Sequence, residues 1–256
     1  MNLHRKGLSL IELLVVVAIL SAITSILLPA VQLARESARR ITCSNHLRQI
    51  GVGLSDFHAT FQHFPMGCLE WQGLNPDNRQ LAWNASILPF IEQKGLYNSI
   101  DFKMPYDSAT NHAAATTRLP VFRCPSSQRI EVDRNSIALS DYGGVYGERI
   151  SSPNSPPKGV MLIDRVVAAK EITDGLSNTL IVAEDSKSSQ GEWINGANIF
   201  DQAFSINSGP DFENDIRSDH PGGANTIFCD GSTHFLENTT DNLILAAHCT
   251  RAGHEF

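Results

Sequence analysis

Residues Leu8 to Leu28 form a run of 21 in which Glu12 is the single charged side chain. As an α-helix this run is about 31 Å long at roughly 1.5 Å per residue, which matches a bilayer core of about 30 Å. Arg5 and Lys6 precede it, and basic residues on that flank fix the cytoplasmic end. Three kinds of segment begin this way. A cleaved secretory signal has an apolar region of about 7–15 residues free of charge, followed by a small-residue cleavage site. Here the run is longer, Glu12 interrupts it, and no clear Ala-x-Ala follows. A plain signal anchor fits the length and the basic flank. It leaves Glu12 unexplained, because an acidic group at the centre of a membrane helix costs about 2.5–3.5 kcal/mol on insertion scales, less near an end where it snorkels. The third kind is a segment cut after a short basic leader.

The order Arg5-Lys6-Gly7, Leu8 and Glu12 resembles the type IV prepilin family. Its members carry a basic leader ending in Gly, then an apolar residue, with Glu at the fifth position after the cut. Pro29 sits where many pilins have a helix-kinking Pro. The resemblance implies a prepilin peptidase as partner, cleaving between Gly7 and Leu8 and methylating the new amino group of Leu8. It also gives Glu12 a role. In staggered helices of a filament, the Glu12 carboxylate of one subunit meets the Leu8 amine of another, so each charge has a counter-ion and register follows.

Beyond the run, Ala30, Val31, Ala34, Ala38 and Ile41 recur at three- and four-residue steps, and Leu47, Ile50, Leu54 and Phe57 extend the pattern. One helix from about Leu8 to Ala59 is expected, kinked or loosened at Pro29, where a backbone hydrogen bond is lost. Arg35, Arg39 and Arg40 are placed to touch lipid headgroups or to form a solvated face. The organisation expected is a leader at 1–7, a transmembrane helix at 8–28, its extension at 29–59, and an exported head at 60–256. Phe64–Gly67 reads as a turn or extended exit, Trp83–Ile100 as a short helix, and His112–Arg118 as another. Val121–Ser126 reads as a strand stopped by Pro125. Gly159–Leu162, Val166–Val167, Thr179–Glu184 and Asn225–Cys229 also read as strands. Asp230-Gly231, before Ser232–Leu236, signals a hairpin with a type I′ turn. The fold class is α+β, a long helix packed on a mostly antiparallel sheet.

The formal net charge is −7. An acidic head argues against nucleic acid as a partner, since phosphate binding is driven by Lys and Arg. Cys43, Cys68, Cys124, Cys229 and Cys249 all lie beyond the apolar run. An oxidising compartment permits two disulfides; the plainer alternative is that several are small buried apolar residues. No Cys-x-x-Cys and no His at zinc-finger spacing is present, so no metal ligand is assigned.

Five segments carry a second resemblance: Cys43-Ser44-Asn45-His46-Leu47-Arg48-Gln49-Ile50-Gly51, Phe64-Pro65, Leu88–Gln93, Cys124-Pro125-Ser126 and Thr173–Thr179. They are similar to a large bacterial family with a prepilin-type N-terminus and a domain of unknown function. Its C-terminal signature is His, nine residues, then Asp-Gly, matched here by His220 and Asp230-Gly231. These three form a candidate ligand site, with a packed loop His and a turn Asp as the plainer account. Asp211, Glu213 and Asp215 alternate like a calcium loop, but Ile216 and Gly222 fall where such a loop needs Gly and a bidentate Glu. A looser calcium site with Asp219 is the one cofactor considered. Asp174, Ser177, Asn178, Glu184 and Asp185 are candidates for a sugar or cation site, or simply a turn and a strand end. His220, His234, His248 and His254 come late, without a Gly-x-Ser-x-Gly, His-Glu-x-x-His or P-loop motif, so no catalytic residue is assigned. The sequons at Asn84 and Asn238 carry little weight.

The sequence thus points to a non-enzymatic, inner-membrane, single-pass subunit of a type IV pilus-like or type II secretion pseudopilus-like filament. Its partners would be prepilin peptidase, membrane lipid and copies of itself or other pilin-like subunits. The alternative is a tethered module whose head binds a glycan, cation or surface partner. Intact-mass measurement on protein from cells with an active prepilin peptidase is expected to give a chain starting at N-methylated Leu8. Retention of Met1 would overturn the processing assignment.

Overall fold

The computed structural model describes residues 10–73, 75, 77–129, 132, 135–188, 190–210 and 213–253. Gly7 and Leu8, the processing residues, lie outside the described residues, as do Asp211 and His254.

Helix α1 spans Leu10–Phe61, 52 residues with Pro29 inside, about 78 Å at 1.5 Å per residue. It divides by environment. Every residue from Leu10 through Arg35 is exposed. From Cys43 onward a stripe is buried, consisting of Cys43, Leu47, Ile50, Gly51, Leu54 and Phe57 together with Gly53. Their alternating four- and three-residue steps bring them to one helix face. Each large apolar side chain in the stripe contributes roughly 1.5–3 kcal/mol by leaving water, so the lower half of α1 is anchored by packing. Two arginines of the basic cluster join that docking. Arg39 donates from Nε to the Ser126 hydroxyl at 3.2 Å, and the Arg40 guanidinium lies 3.2 Å from the ring centroid of Phe235.

A two-stranded ribbon of β1 (Cys68–Leu69) and β2 (Leu81–Ala82) follows. The segment expected as one helix over Trp83–Ile100 is instead α2 (Trp83–Ile87), a 3-10 turn at Leu88–Ile91, and α3 (Lys94–Tyr97). Pro89 starts the tight turn, and Glu92 closes it in the left-handed region at φ 63°. A short α4 covers His112–Ala115. Val121–Ser126, expected as a strand, is not one. Pro120 opens a 3-10 turn through Phe122, and the Phe122 side chain is buried between Trp83 and Trp193.

The main sheet contains β3 (Tyr142–Glu148), β4 (Leu180–Glu184), β5 (Ile199–Gln202), β6 (Gly223–Phe228) and β7 (Thr233–Glu237), in the order β5-β3-β4-β6-β7. All neighbours are antiparallel except β3 and β5. The strands expected at Gly159–Leu162 and Val166–Val167 do not form. The former runs irregularly along β3, with Val160 and Met161 both donating to the Val145 carbonyl. One apolar cluster fills the space between α1 and the sheet, including Leu47, Ile50, Tyr142, Val182 and Ile227. A second lies on the opposite face around Val145, Leu180, Phe200 and Phe228. It is covered by Leu245 of α5 (Asn242–His248), whose first turn is capped by the Asp241 carboxylate.

The β6–β7 hairpin forms where Asp230-Gly231 marks it, but not with a type I′ turn. Phe228 accepts from the Gly231 N–H at 2.9 Å, and within the turn only Gly231 has positive φ, 83°. This is the three-residue hairpin loop closed by a left-handed glycine. The turn sits directly on α1. A Cβ on Gly51 would lie 2.8 Å from the Gly231 carbonyl oxygen, which is backbone and unable to swing aside. Gly51→Ala therefore sets a helix-propensity gain of about 0.5–1 kcal/mol against an overpacking cost of about 1–3 kcal/mol. A net loss of stability is expected on urea denaturation of the detergent-solubilised chain followed by tryptophan fluorescence. Val52→Ala, at an exposed neighbour, should stay within about 0.5 kcal/mol of the parent.

Candidate functional site

Four polar side chains from four distant segments meet where the buried half of α1 crosses the sheet. Cys43 comes from α1, Cys124 from the loop after the Pro120–Phe122 turn, Glu184 from the end of β4, and His220 from the loop before β6. One donor atom from each lies within 4.8 Å of all the others, and all four residues are buried. The Cys43 thiol donates to Glu184 Oε1 at 2.8 Å. Cys124 Sγ lies 3.3 Å from His220 Nε2, and His220 Nε2 lies 3.5 Å from Glu184 Oε1.

A ring of supporting contacts fixes these groups. His220 Nδ1 is 2.5 Å from Glu36 Oε1, and Glu36 is held by Arg39 and by the Ser126 hydroxyl at 3.0 Å. Glu184 Oε2 accepts from the Asn225 backbone N–H at 2.6 Å and from its side-chain amide at 3.2 Å. That amide also faces Cys43 Sγ at 3.6 Å, and the Tyr142 hydroxyl is 3.1 Å from the same sulfur. The electrostatics follow from this packing. Burial, then Cys124 and the Glu184 charge, push the Cys43 thiol far up. Cys124 is lowered from the ordinary thiol value, chiefly by its hydrogen bond with Cys43 and then by His220, against the opposing effect of burial. Burial alone would lower His220, but Cys124, Glu184 and Glu36 outweigh it and raise the imidazole to about 9. The other three thiols are plain buried apolar groups, raised by burial: Cys68 to about 12, and Cys229 and Cys249 well above the ordinary thiol range. All five cysteines are free.

The residues singled out in the sequence separate into different places. His220 turns into the cluster. Asp230 is exposed and spends one carboxylate oxygen on its own turn, accepting from the Ser232 N–H at 2.9 Å and hydroxyl at 2.6 Å. Gly231 packs on α1. The His220…Asp230-Gly231 signature thus touches α1 at two levels, Glu36 and Gly51. Of the calcium candidates, Glu213 pairs with Arg149 at 2.7 Å, Asp215 accepts from the Ala203 N–H at 2.7 Å, and Asp219 accepts from the Gln128 N–H at 3.1 Å. Each described member serves a different partner. Asp174 accepts from the Gly253 N–H at 2.6 Å. His234 faces the Ser232 hydroxyl and His248 the Asn178 carbonyl. Of the sugar or cation group, only Glu184 enters the cluster.

The family comparison fits this geometry. Residues 32–199 and 188–243 match the family described as "Protein of unknown function (DUF1559)". The chain belongs to the DUF1559 family. Residues 2–28 match the prokaryotic N-terminal methylation motif. Together with α1, these matches make the chain a pilin-like protein processed by prepilin peptidase, with a single-pass membrane anchor and a soluble head. No curated protein and no solved structure matches it. Cys43, Cys124 and His220 each open a segment that carries the family resemblance. Their separation along the chain forms no local motif, so their convergence was not legible until the sheet was in place.

Asp215 offers a test of head-domain electrostatics. It is fully buried, its Oδ2 has no hydrogen-bond partner, and burial pushes its pKa from 3.8 up to about 6. The folded state then holds a proton that the unfolded chain releases, so stability falls as pH rises from about 4 to about 6. At about 1.4 kcal/mol per pKa unit, the parent should lose a few kcal/mol relative to Asp215→Asn across that window. Denaturant titrations of both proteins at stepped pH measure the difference.

Proposed function

We propose that this chain is a non-enzymatic structural subunit of a type IV pilus-like or type II secretion pseudopilus-like filament, drawn from an inner-membrane pool with its head exported. The observation that carries this reading is the distribution of exposed apolar surface on α1. Leu10 to Leu28 spans about 28 Å at 1.5 Å per residue, which a bilayer core of about 30 Å covers. A simple tether needs nothing further. Yet Val31, Leu33 and Ile41, beyond that span, are 46%, 73% and 60% exposed, so exposed apolar side chains continue along α1 past the bilayer. Packing of α1 helices from neighbouring subunits would cover both the membrane segment and this extension.

In that assembly the Glu12 carboxylate pairs with the methylated amine of Leu8 on another subunit. Removing a charge from such a pair leaves its partner buried alone, which is strongly unfavourable. The head's attachment through the Cys43–Phe57 stripe then carries helix-to-helix contacts outward without a flexible joint. Glu12→Leu should yield a processed, folded and membrane-bound protein that no longer enters filaments, scored by shear fractionation and electron microscopy. Normal entry of that variant into filaments would overturn the Glu12 pairing, and absence of the parent chain itself from the sheared filament fraction would favour the alternative in which α1 merely tethers a binding head.

A further inference from the structure

We propose that Cys43, Cys124, Glu184 and His220 bind one divalent metal ion of the zinc class, closing a tetrahedral centre that ties α1 to the head. The proposal is independent of the filament reading, since it concerns only how the anchor helix is joined to the domain behind it.

The donor set is the first argument. Two sulfurs, one imidazole nitrogen and one carboxylate oxygen are ligands of a borderline-soft ion without geometric preference, the character of Zn2+. The spacing is the second. With Zn–S near 2.3 Å and Zn–N and Zn–O near 2.0–2.2 Å, the edges of a tetrahedron of such ligands are about 3.3–3.8 Å. The Cys124–His220 and His220–Glu184 separations, 3.3 and 3.5 Å, are of that size. Cys43 to Glu184 is shorter at 2.8 Å, the length of a thiol hydrogen bond, and opens by less than about 1 Å when the ion replaces that proton.

The surroundings are the third argument. A metal-bound His donates its other ring N–H to a carboxylate or carbonyl, which fixes the tautomer. Here Glu36 takes Nδ1 at 2.5 Å, and Nε2 faces the Cys124 sulfur and the Glu184 carboxylate, where it binds the ion once its proton has left. The Tyr142 hydroxyl and the Asn225 amide face Cys43 Sγ, as donors that stabilise a thiolate. Charge balances as well. Two protons pass to solvent as one dication enters, one from the Cys43 thiol and one shared by Cys124 and His220, so the centre carries the same net charge before and after loading. All four positions are filled by protein and buried, which is the pattern of a structural rather than a catalytic zinc.

The test uses the full chain, solubilised in detergent and purified without reductant or added metal. About one zinc per chain is expected by elemental analysis. After chelator stripping under reducing conditions, Co2+ should saturate at one equivalent with sulfur-to-cobalt charge-transfer absorption, and Zn2+ should displace it. Cys124→Ser should roughly halve that absorption, since one of the two thiolates is lost, and Cys249→Ser should leave it unchanged. Glu36→Gln, which contacts the ligand and not the ion, should weaken Zn2+ binding about 10–100-fold. A parent chain that is isolated without metal and gives no saturable Co2+ absorption overturns the proposal. So does a Cys43–Cys124 disulfide in the peptide map of protein taken from cells without reduction, or an unchanged Co2+ spectrum in the Cys43→Ser/Cys124→Ser double variant.

Discussion

The architecture depends on the docking of one half of a helix whose other half has nothing to dock on. α1 is continuous from Leu10 to Phe61, so the orientation of the exposed half is set by how firmly the buried half is held. Cys43, Leu47, Ile50, Leu54 and Phe57 provide the burial. Burial alone is non-directional and would tolerate some sliding or rotation of the helix along the sheet. What removes that freedom is contact with fixed geometry. Gly51 against the Gly231 carbonyl admits one approach distance. The Glu36–His220 contact fixes the level, and Arg40 over Phe235 fixes the side presented to β7.

This explains why a signature written in the head bears on the anchor. His220 and Asp230-Gly231 do not form one pocket. They lie at the two ends of β6, and from there reach α1 more than three turns apart, at Glu36 and at Gly51. Asp230 shapes the turn through Ser232, and Gly231 supplies the left-handed residue and the missing side chain that let the turn meet the helix. The spacing of nine residues is then the length of a strand plus the turn that returns it to the helix.

Legibility from the sequence follows the range of the interactions. The α1 pattern was readable because its period repeats over dozens of residues. The β6–β7 hairpin was readable because Asp-Gly is a local turn device, although the turn that formed needs positive φ only at Gly231. The segments misread were those where a local pattern loses to tertiary packing. Val121 and Phe122 have strand character, yet Pro120 and the Trp83–Trp193 slot make a 3-10 turn there. In β3, Gly143, Gly144 and Gly147 dilute the strand character of Tyr142, Val145 and Tyr146. The strand is held by β4 and β5 on either side, and by close packing that Cβ atoms at Gly143 and Gly144 would crowd. The Cys43–Cys124–Glu184–His220 cluster was illegible for a stronger reason, since its members come from four elements and share no spacing rule.

That cluster also bears on why a helix anchored by packing would need more. Forces on a filament or tether act along α1, and the buried stripe opposes them with apolar contacts that yield one at a time. Cys43 sits at the top of the stripe, about two turns from Glu36, whose contact with His220 is where the helix leaves the head. A load on the exposed half acts there first. At this level the helix meets the loop after the Pro120–Phe122 turn, the end of β4 and the loop before β6, so the groups around Cys43 join it to three separate segments of the head at once. The joint is placed where the exposed lever meets the domain, and failure there would begin the peeling of α1 from the sheet.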